Sequence, residues 1–187
     1  SARELDQQAI ADSEYLYIES YLVTSESGRA TAKAAREIAQ ANGTKVALSF
    51  SDPGIVAHFG EGIRDIMGNA IDLILCNEDE ALSFANSEQL DSAIAAMKQF
   101  APELVITRGA RGAMVCIDDQ VIDINGVKVN AVDTNGAGDM FAGAYLYGIT
   151  NGMTRQQAGN FASAAAAKVV SQFGPRLQPE QHRELLK

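Results

Sequence analysis

Apolar positions along the chain fall into short dense runs, separated by polar breaks marked with glycine or proline. YLYIE (15–19), VALSF (46–50), LILC (73–76), LVIT (104–107) and AMVCI (113–117) are too short for helices, and each predicts a strand. The longer stretches between them predict helices. Residues 26–42 carry Ala30, Ala34, Ile38 and Ala41 along one expected inner face, and Asn42-Gly43 supplies the stop. Asp52-Pro53 supplies a cap and a first turn for a helix near 55–67. Residues 4–11, 77–85 and 90–100 predict three more helices, and Gly109–Gly112 a turn. Two short strands, 121–124 and 127–129, flank Asn125-Gly126, a dipeptide that favours hairpins. From Ala137 the chain predicts helices at about 137–148, 154–172 and 179–186.

Alternating short apolar strands and helices define an α/β fold: a mostly parallel sheet covered on both faces, with an antiparallel edge. No internal repeat or boundary breaks the order, so a single domain is expected over 1–187. Ligands of such sheets bind beyond the C-terminal strand ends. That points to the loops after Phe50, Cys76, Thr107 and Val132.

Composition narrows the function. A formal net charge of -9 excludes a nucleic-acid binder, which needs a basic surface. A nucleotide site stays open, because it uses a few local donors. Cys76 and Cys116 have no CxxC partner and sit in apolar runs, as small buried hydrophobes do. No apolar run approaches the roughly 18 residues of a membrane span, and a cytoplasmic location is expected. His58 and His182 stand apart from any other metal-ligating or catalytic residue.

The segment Val132-Asp133-Thr134-Asn135-Gly136-Ala137-Gly138-Asp139 joins an extended run to an alanine-rich helix. Gly136 and Gly138 let the backbone approach a ligand closely. The amides of Gly136, Ala137 and Gly138 lie at the helix start, where N–H groups lack intrahelical partners and the dipole attracts anions. Asp139, in the first turn, has the chemistry to accept a proton from a hydroxyl beside that anion site. From the residues alone, a helix start with a capping acid and packing glycines remains open. A dinucleotide-binding GxGxxG would need glycine at position 141, which is Phe141, and no GK[ST] follows a four-residue spacer.

DTNGAGDMFAGA closely resembles the C-terminal signature of the PfkB/ribokinase superfamily of carbohydrate and nucleoside kinases, in a form similar to adenosine kinases. The resemblance runs in register over nearly the whole chain and corresponds to the C-terminal two-thirds of that fold. It implies transfer of the γ-phosphoryl group of ATP to a hydroxymethyl group of a sugar or nucleoside. Asp139 is then the base, and Gly136, Ala137 and Gly138 stabilise the transferring group. Asn77-Glu78-Asp79-Glu80 resembles the NxxE motif, in which Asn77 and Glu80 act through water on Mg2+ and the phosphates. Thr107-Arg108-Gly109-Ala110-Arg111-Gly112 resembles the TxGxxG loop of the ATP site, with Thr107, Arg108, Gly109 and Gly112 as contacts. On the helix NFASAAAAKVV, Ser163 falls at the adenine edge, with Asn160 one turn earlier. In potassium-activated relatives two loops hold a monovalent cation, largely by backbone carbonyls. The matching positions are Asp133, Asn135, Val169, Gln172 and Gly174.

The resemblance also implies that the first strands, the lid and the acceptor-gripping residues of the family lie outside this chain. The expected partners are a small-molecule acceptor and either a second copy or the missing N-terminal segment, which would cover an exposed sheet edge. Two other function classes remain: a non-catalytic nucleotide-binding module, and a dinucleotide-dependent oxidoreductase whose glycine spacing is absent here.

Overall fold

The computed structural model describes residues 2–186, so both ends of the domain expected over 1–187 lie outside them. The strands are β1 (Tyr15–Glu19), β2 (Lys45–Ser49), β3 (Leu73–Asn77), β4 (Glu103–Thr107), β5 (Ala113–Ile117) and β6 (Gln120–Ile124). They form one sheet in chain order. β1 and β2 pair in parallel with Leu16 opposite Val46, and β2 and β3 with Leu48 opposite Ile74. β4, β5 and β6 make the antiparallel edge. The helices among the described residues are α1 (Gln7–Ala11), α2 (Glu26–Asn42), α3 (Pro53–Met67), α4 (Glu78–Ala85), α5 (Leu90–Met97), α6 (Ala137–Thr150), α7 (Arg155–Val170) and α8 (Pro179–Leu185).

Contacts divide the chain into two compact units. The first takes the residues up to Ile106 with Cys116–Asp118, and the second takes Thr107–Val115 and the residues from Asp119 onward. In the first unit Val46, Ala47, Leu48, Leu73, Ile74, Leu104, Val105 and Ile106 are all fully or almost fully buried. Such uninterrupted apolar strands occur where both faces of a sheet are covered. Asp52 caps α3 by accepting from the N–H groups of Gly54 (2.7 Å) and Ile55 (3.2 Å). Gly43, left-handed at φ 77°, ends α2.

The inner face of α2 differs from the sequence expectation. The buried residues are Ala32, Ala35, Arg36 and Ala39, while Ala30 and Ala41 are exposed. Alanines surround this helix, so a methyl on either side satisfies the periodicity. Arg36 breaks the tie. Its guanidinium occupies the space beside Gly68, where a Cβ would lie 1.5 Å from Arg36 Nη1.

In the second unit small residues let α7 lie close to its neighbours. A Cβ on Gly148 of α6 would stand 2.8 Å from Ala158 Cβ, and one on Gly159 would stand 2.5 Å from Ile124 Cδ1. Tyr145 is fully buried and stacks on Phe141, with ring centroids 6.5 Å apart. Burying a side chain of that size contributes roughly 2–3 kcal/mol. The hairpin expected at Asn125-Gly126 is absent. The chain reverses at Asp118-Asp119 instead, and Val127–Val129 is irregular rather than a strand. Gly126 serves close packing: a Cβ there would lie 2.1 Å from the Ala110 carbonyl oxygen. The backbone of this segment is held against the 109–112 turn, which leaves it no strand partner.

Candidate active site

The second unit contains a cleft of about 650 Å³. Thr107, Gly109, Ala110 and Gly112 line it from the loop after β4, and Gly126–Val129 and Ala131 from the irregular segment after β6. Thr134, Ala137, Gly138 and Phe141 line it at the start of α6, and Ser163, Ala166, Ala167 and Val170 along α7. The surface is chiefly backbone, methyl and methylene, as suits a flat apolar ring held without much polar readout.

At one wall α6 begins without a side-chain cap, because its N-cap is Gly136. That glycine is required twice. Its φ is +75°, and a Cβ would lie 2.4 Å from the Pro175 carbonyl oxygen. Gly138 differs: a Cβ there meets nothing within 4 Å, so its bare face is open at the cleft wall. Of the three amides expected to be free, that of Ala137 donates to Thr134 O at 3.3 Å, because the chain closes a turn before entering the helix. Asp139 is the third residue of α6 and exposed.

The two loops expected to hold a monovalent cation meet through Asp133. Its Oδ1 accepts from the Asn135 N–H at 3.0 Å and its Oδ2 from the Gly174 N–H at 3.1 Å. These two bonds, that from Asn135 first, hold the carboxyl below its ordinary value of 3.8. The side chain therefore ties the loops together. Gln172 Oε1 accepts from Gln181 Nε2 at 2.6 Å, its Nε2 donates to Arg176 O, and Val169 is fully buried.

Ser163 lines the cleft, buried, and donates to Asn125 O at 3.0 Å. Asn160 is exposed and absent from the lining, with its Oδ1 3.4 Å from Gln156 Nε2. Arg108 turns away from the cleft. Its Nη2 donates to Ala113 O at 2.9 Å and to Asp123 Oδ1 at 2.8 Å, while its Nε is buried without a partner. Gly126–Val129, Ala131, Phe141, Ala166, Ala167 and Val170 also line the cleft, and the sequence reading missed them. The only signal for the first of these, the Asn125-Gly126 pair, fits a hairpin equally well.

In the first unit Asn77 and Glu80 form a complete capping box at the start of α4. Asn77 Oδ1 accepts from the Glu80 N–H at 2.8 Å, and Glu80 Oε2 accepts from the Asn77 N–H at 2.9 Å. Asn77 Nδ2 adds a bond to Glu80 Oε1 at 3.0 Å. Glu80 is only 5% exposed, and burial raises its pKa above 4.5. The Asn77 amide bond opposes the shift, while Asp52 and Asp79 add to it. Among the described residues no group of three or more His, Cys, Asp or Glu side chains is placed to hold a metal ion. A wider groove of about 910 Å³ runs between α3 and α4 and includes His58, whose Nδ1 lies 2.8 Å from Gly54 O. None of the predicted site residues lines it.

An uncapped helix start, an apolar cleft and a first-turn carboxylate thus lie together on an α/β scaffold. Residues 1–182 match the pfkB family of carbohydrate kinases, and the chain belongs to that family. It is similar to the ribokinase of Haemophilus influenzae, 32% identical over 158 residues, which are 81% of this chain and 49% of that protein. The adenosine kinase of Saccharomyces cerevisiae is 28% identical over 158 residues, 76% of this chain and 46% of that one. The structure of adenosine kinase from Sinorhizobium meliloti superposes with a TM-score of 0.92 at 25% identity, over 98% of this chain and 58% of that one. The chain thus spans about half the length of the curated relatives it matches. Among the described residues no helix is long and apolar enough to cross a membrane.

Proposed function

We propose that the cleft of the second unit binds ATP, and that the chain transfers its γ-phosphoryl group to a hydroxymethyl group of a sugar or nucleoside. The observation that carries this reading is the junction of an apolar cleft with the open, uncapped start of α6, three residues from Asp139. The base and ribose lie against Val127, Val129 and the small residues of α7. The phosphates lie toward the Gly138 amide, where the helix dipole and the N–H groups oppose the negative charge of the transferring group. A carboxylate oxygen of Asp139 takes the proton of the acceptor hydroxyl as the hydroxyl oxygen bonds to the γ-phosphorus and the bond to the ADP oxygen breaks.

Mg2+ fits the first unit as a cation held through water. Both Glu80 oxygens already accept bonds from Asn77, which leaves remaining lone pairs for ordered water rather than a bare ligand cage. When bound, the ion would supply positive charge there. Asn77 and Glu80 orient its water, and a nearby cation would offset the burial of the Glu80 carboxylate. A monovalent cation would draw on backbone carbonyls around Asp133 and Gly174, because the Asp133 side chain is already engaged.

The test is Asp139→Asn, assayed by ADP release over a panel of sugars and nucleosides and by calorimetry with MgATP. The variant is expected to bind ATP as the parent does and to lose at least about 10²-fold in kcat. Near-parental turnover would overturn the role of Asp139. ATP binding with no transfer in the unmutated chain would favour the nucleotide-binding module instead.

A further inference from the structure

We infer that Lys128 is the residue through which this cleft holds the polyphosphate of its nucleotide, so that the site prefers charged nucleotides over neutral nucleosides. The inference rests on the reading of the cleft as a nucleotide site. Among the described residues that line the cleft, Lys128 alone carries a charge; the rest are glycine, alanine, valine, phenylalanine, threonine and serine. A ligand bearing three or four negative charges loses part of its hydration on entering such a surface, and that loss is costly unless a cation faces it. The start of α6 offers partial charge only, roughly half a unit. The chain as a whole carries -9, so its summed field opposes the ligand and a local cation matters more.

Other basic residues near the cleft are otherwise engaged or absent from its lining. Arg108 points to Asp123 and the Ala113 carbonyl. Arg111 belongs to the same loop and does not line the cleft. Lys128 sits in the irregular segment that closes one side of the cleft, between Val127 and Val129, which are 46% and 43% exposed. The two valines offer apolar contact to a base, and the lysine between them has a long flexible stem that places its ammonium in water beside the ligand. Of the acids nearest in sequence, Asp123 pairs with Arg108, and Asp133 accepts from two amides. The irregular backbone that Gly126 imposes is thus what puts a cation at this wall.

The test is calorimetry of the chain with adenosine, AMP, ADP and ATP, the last three with Mg2+, comparing the parent with Lys128→Gln and Lys128→Arg. The parent is expected to bind more tightly as ligand charge rises. Lys128→Gln should weaken ADP and ATP about five- to twentyfold while leaving adenosine unchanged, and Lys128→Arg should restore most of the loss. In turnover the glutamine variant should raise KM for ATP at unchanged kcat. An equal loss for adenosine, or no loss for ATP, overturns the inference and leaves the nucleotide reading intact. Failure of the parent to bind any of the four overturns the nucleotide reading itself, and the inference with it.

Discussion

Gly136 and Gly138 lie two residues apart in one motif, yet the structure predicts opposite effects for the same substitution. At Gly136 an alanine must adopt φ +75°, which costs about 1–2 kcal/mol for a residue with a Cβ. Its methyl would also lie 2.4 Å from Pro175 O and 2.6 Å from Pro175 Cβ, so the 171–178 loop must shift. Gly136→Ala is expected to lose about 2 kcal/mol or more, a fall in Tm on the order of 4–8 °C for a chain of this size. At Gly138 the backbone is helical and no atom lies within 4 Å of the added methyl. Replacing a helical glycine by alanine restricts the unfolded chain and gains up to about 1 kcal/mol. Gly138→Ala should therefore raise Tm by roughly 1–4 °C. The same methyl stands at the cleft wall, in front of the amides proposed to face phosphate, and should weaken MgATP binding roughly ten- to hundredfold. Urea denaturation and calorimetry on the two variants measure both effects. If Gly138→Ala binds ATP like the parent, or is the less stable of the pair, the assignment of this wall to phosphate is refuted.

Two further predictions concern residues whose surroundings the structure specifies. Glu80 has a pKa raised by burial above 4.5, so the folded state holds its proton more tightly than the unfolded chain. The stability this contributes is present below pH 4.5 and is lost as pH rises through the raised value. Glu80→Gln keeps a capping-box partner and should flatten stability against pH over that window, as read by urea midpoints; an unchanged slope would contradict the burial argument. Arg108→Ala removes a bond to Ala113 O as well as the pair with Asp123, and should cost about 1–2 kcal/mol. Asp123→Asn removes only a pair whose acid is 71% exposed, and should cost less than about 1 kcal/mol. A loss of ATP affinity larger than the loss of stability in Arg108→Ala would return that guanidinium to the nucleotide.

Much of the architecture is legible in the chain because its signals act over a few residues. Strand runs such as LVIT, the Asp52-Pro53 start of α3, the Gly43 stop of α2 and the glycines at the start of α6 each act through neighbouring backbone. The capping box at Asn77 and Glu80 is local in the same sense. Where the reading missed, the deciding partner was distant. The buried face of α2 depends on room for Arg36 beside Gly68, and the irregular course of 125–136 depends on Gly126 meeting Ala110.

By itself the sequence determined the order of strands and helices apart from the strand expected at 127–129, the α/β class, and the glycine-bracketed helix start that carries Asp139. These follow from periodicity, capping and glycine, whose effects reach no further than a turn. Only the tertiary structure decided which side chains face the cleft. Arg108 sits in the loop the sequence marked, yet an acid on β6 and a carbonyl on β5 draw it aside. Asp133, the first residue of the signature, is engaged by an amide 41 residues away. Lys128 carried no local signal and lines the cleft because packing elsewhere kept its segment out of a strand. A side chain's direction is set by the partners that the fold brings to it, and those partners lie beyond the reach of any local pattern.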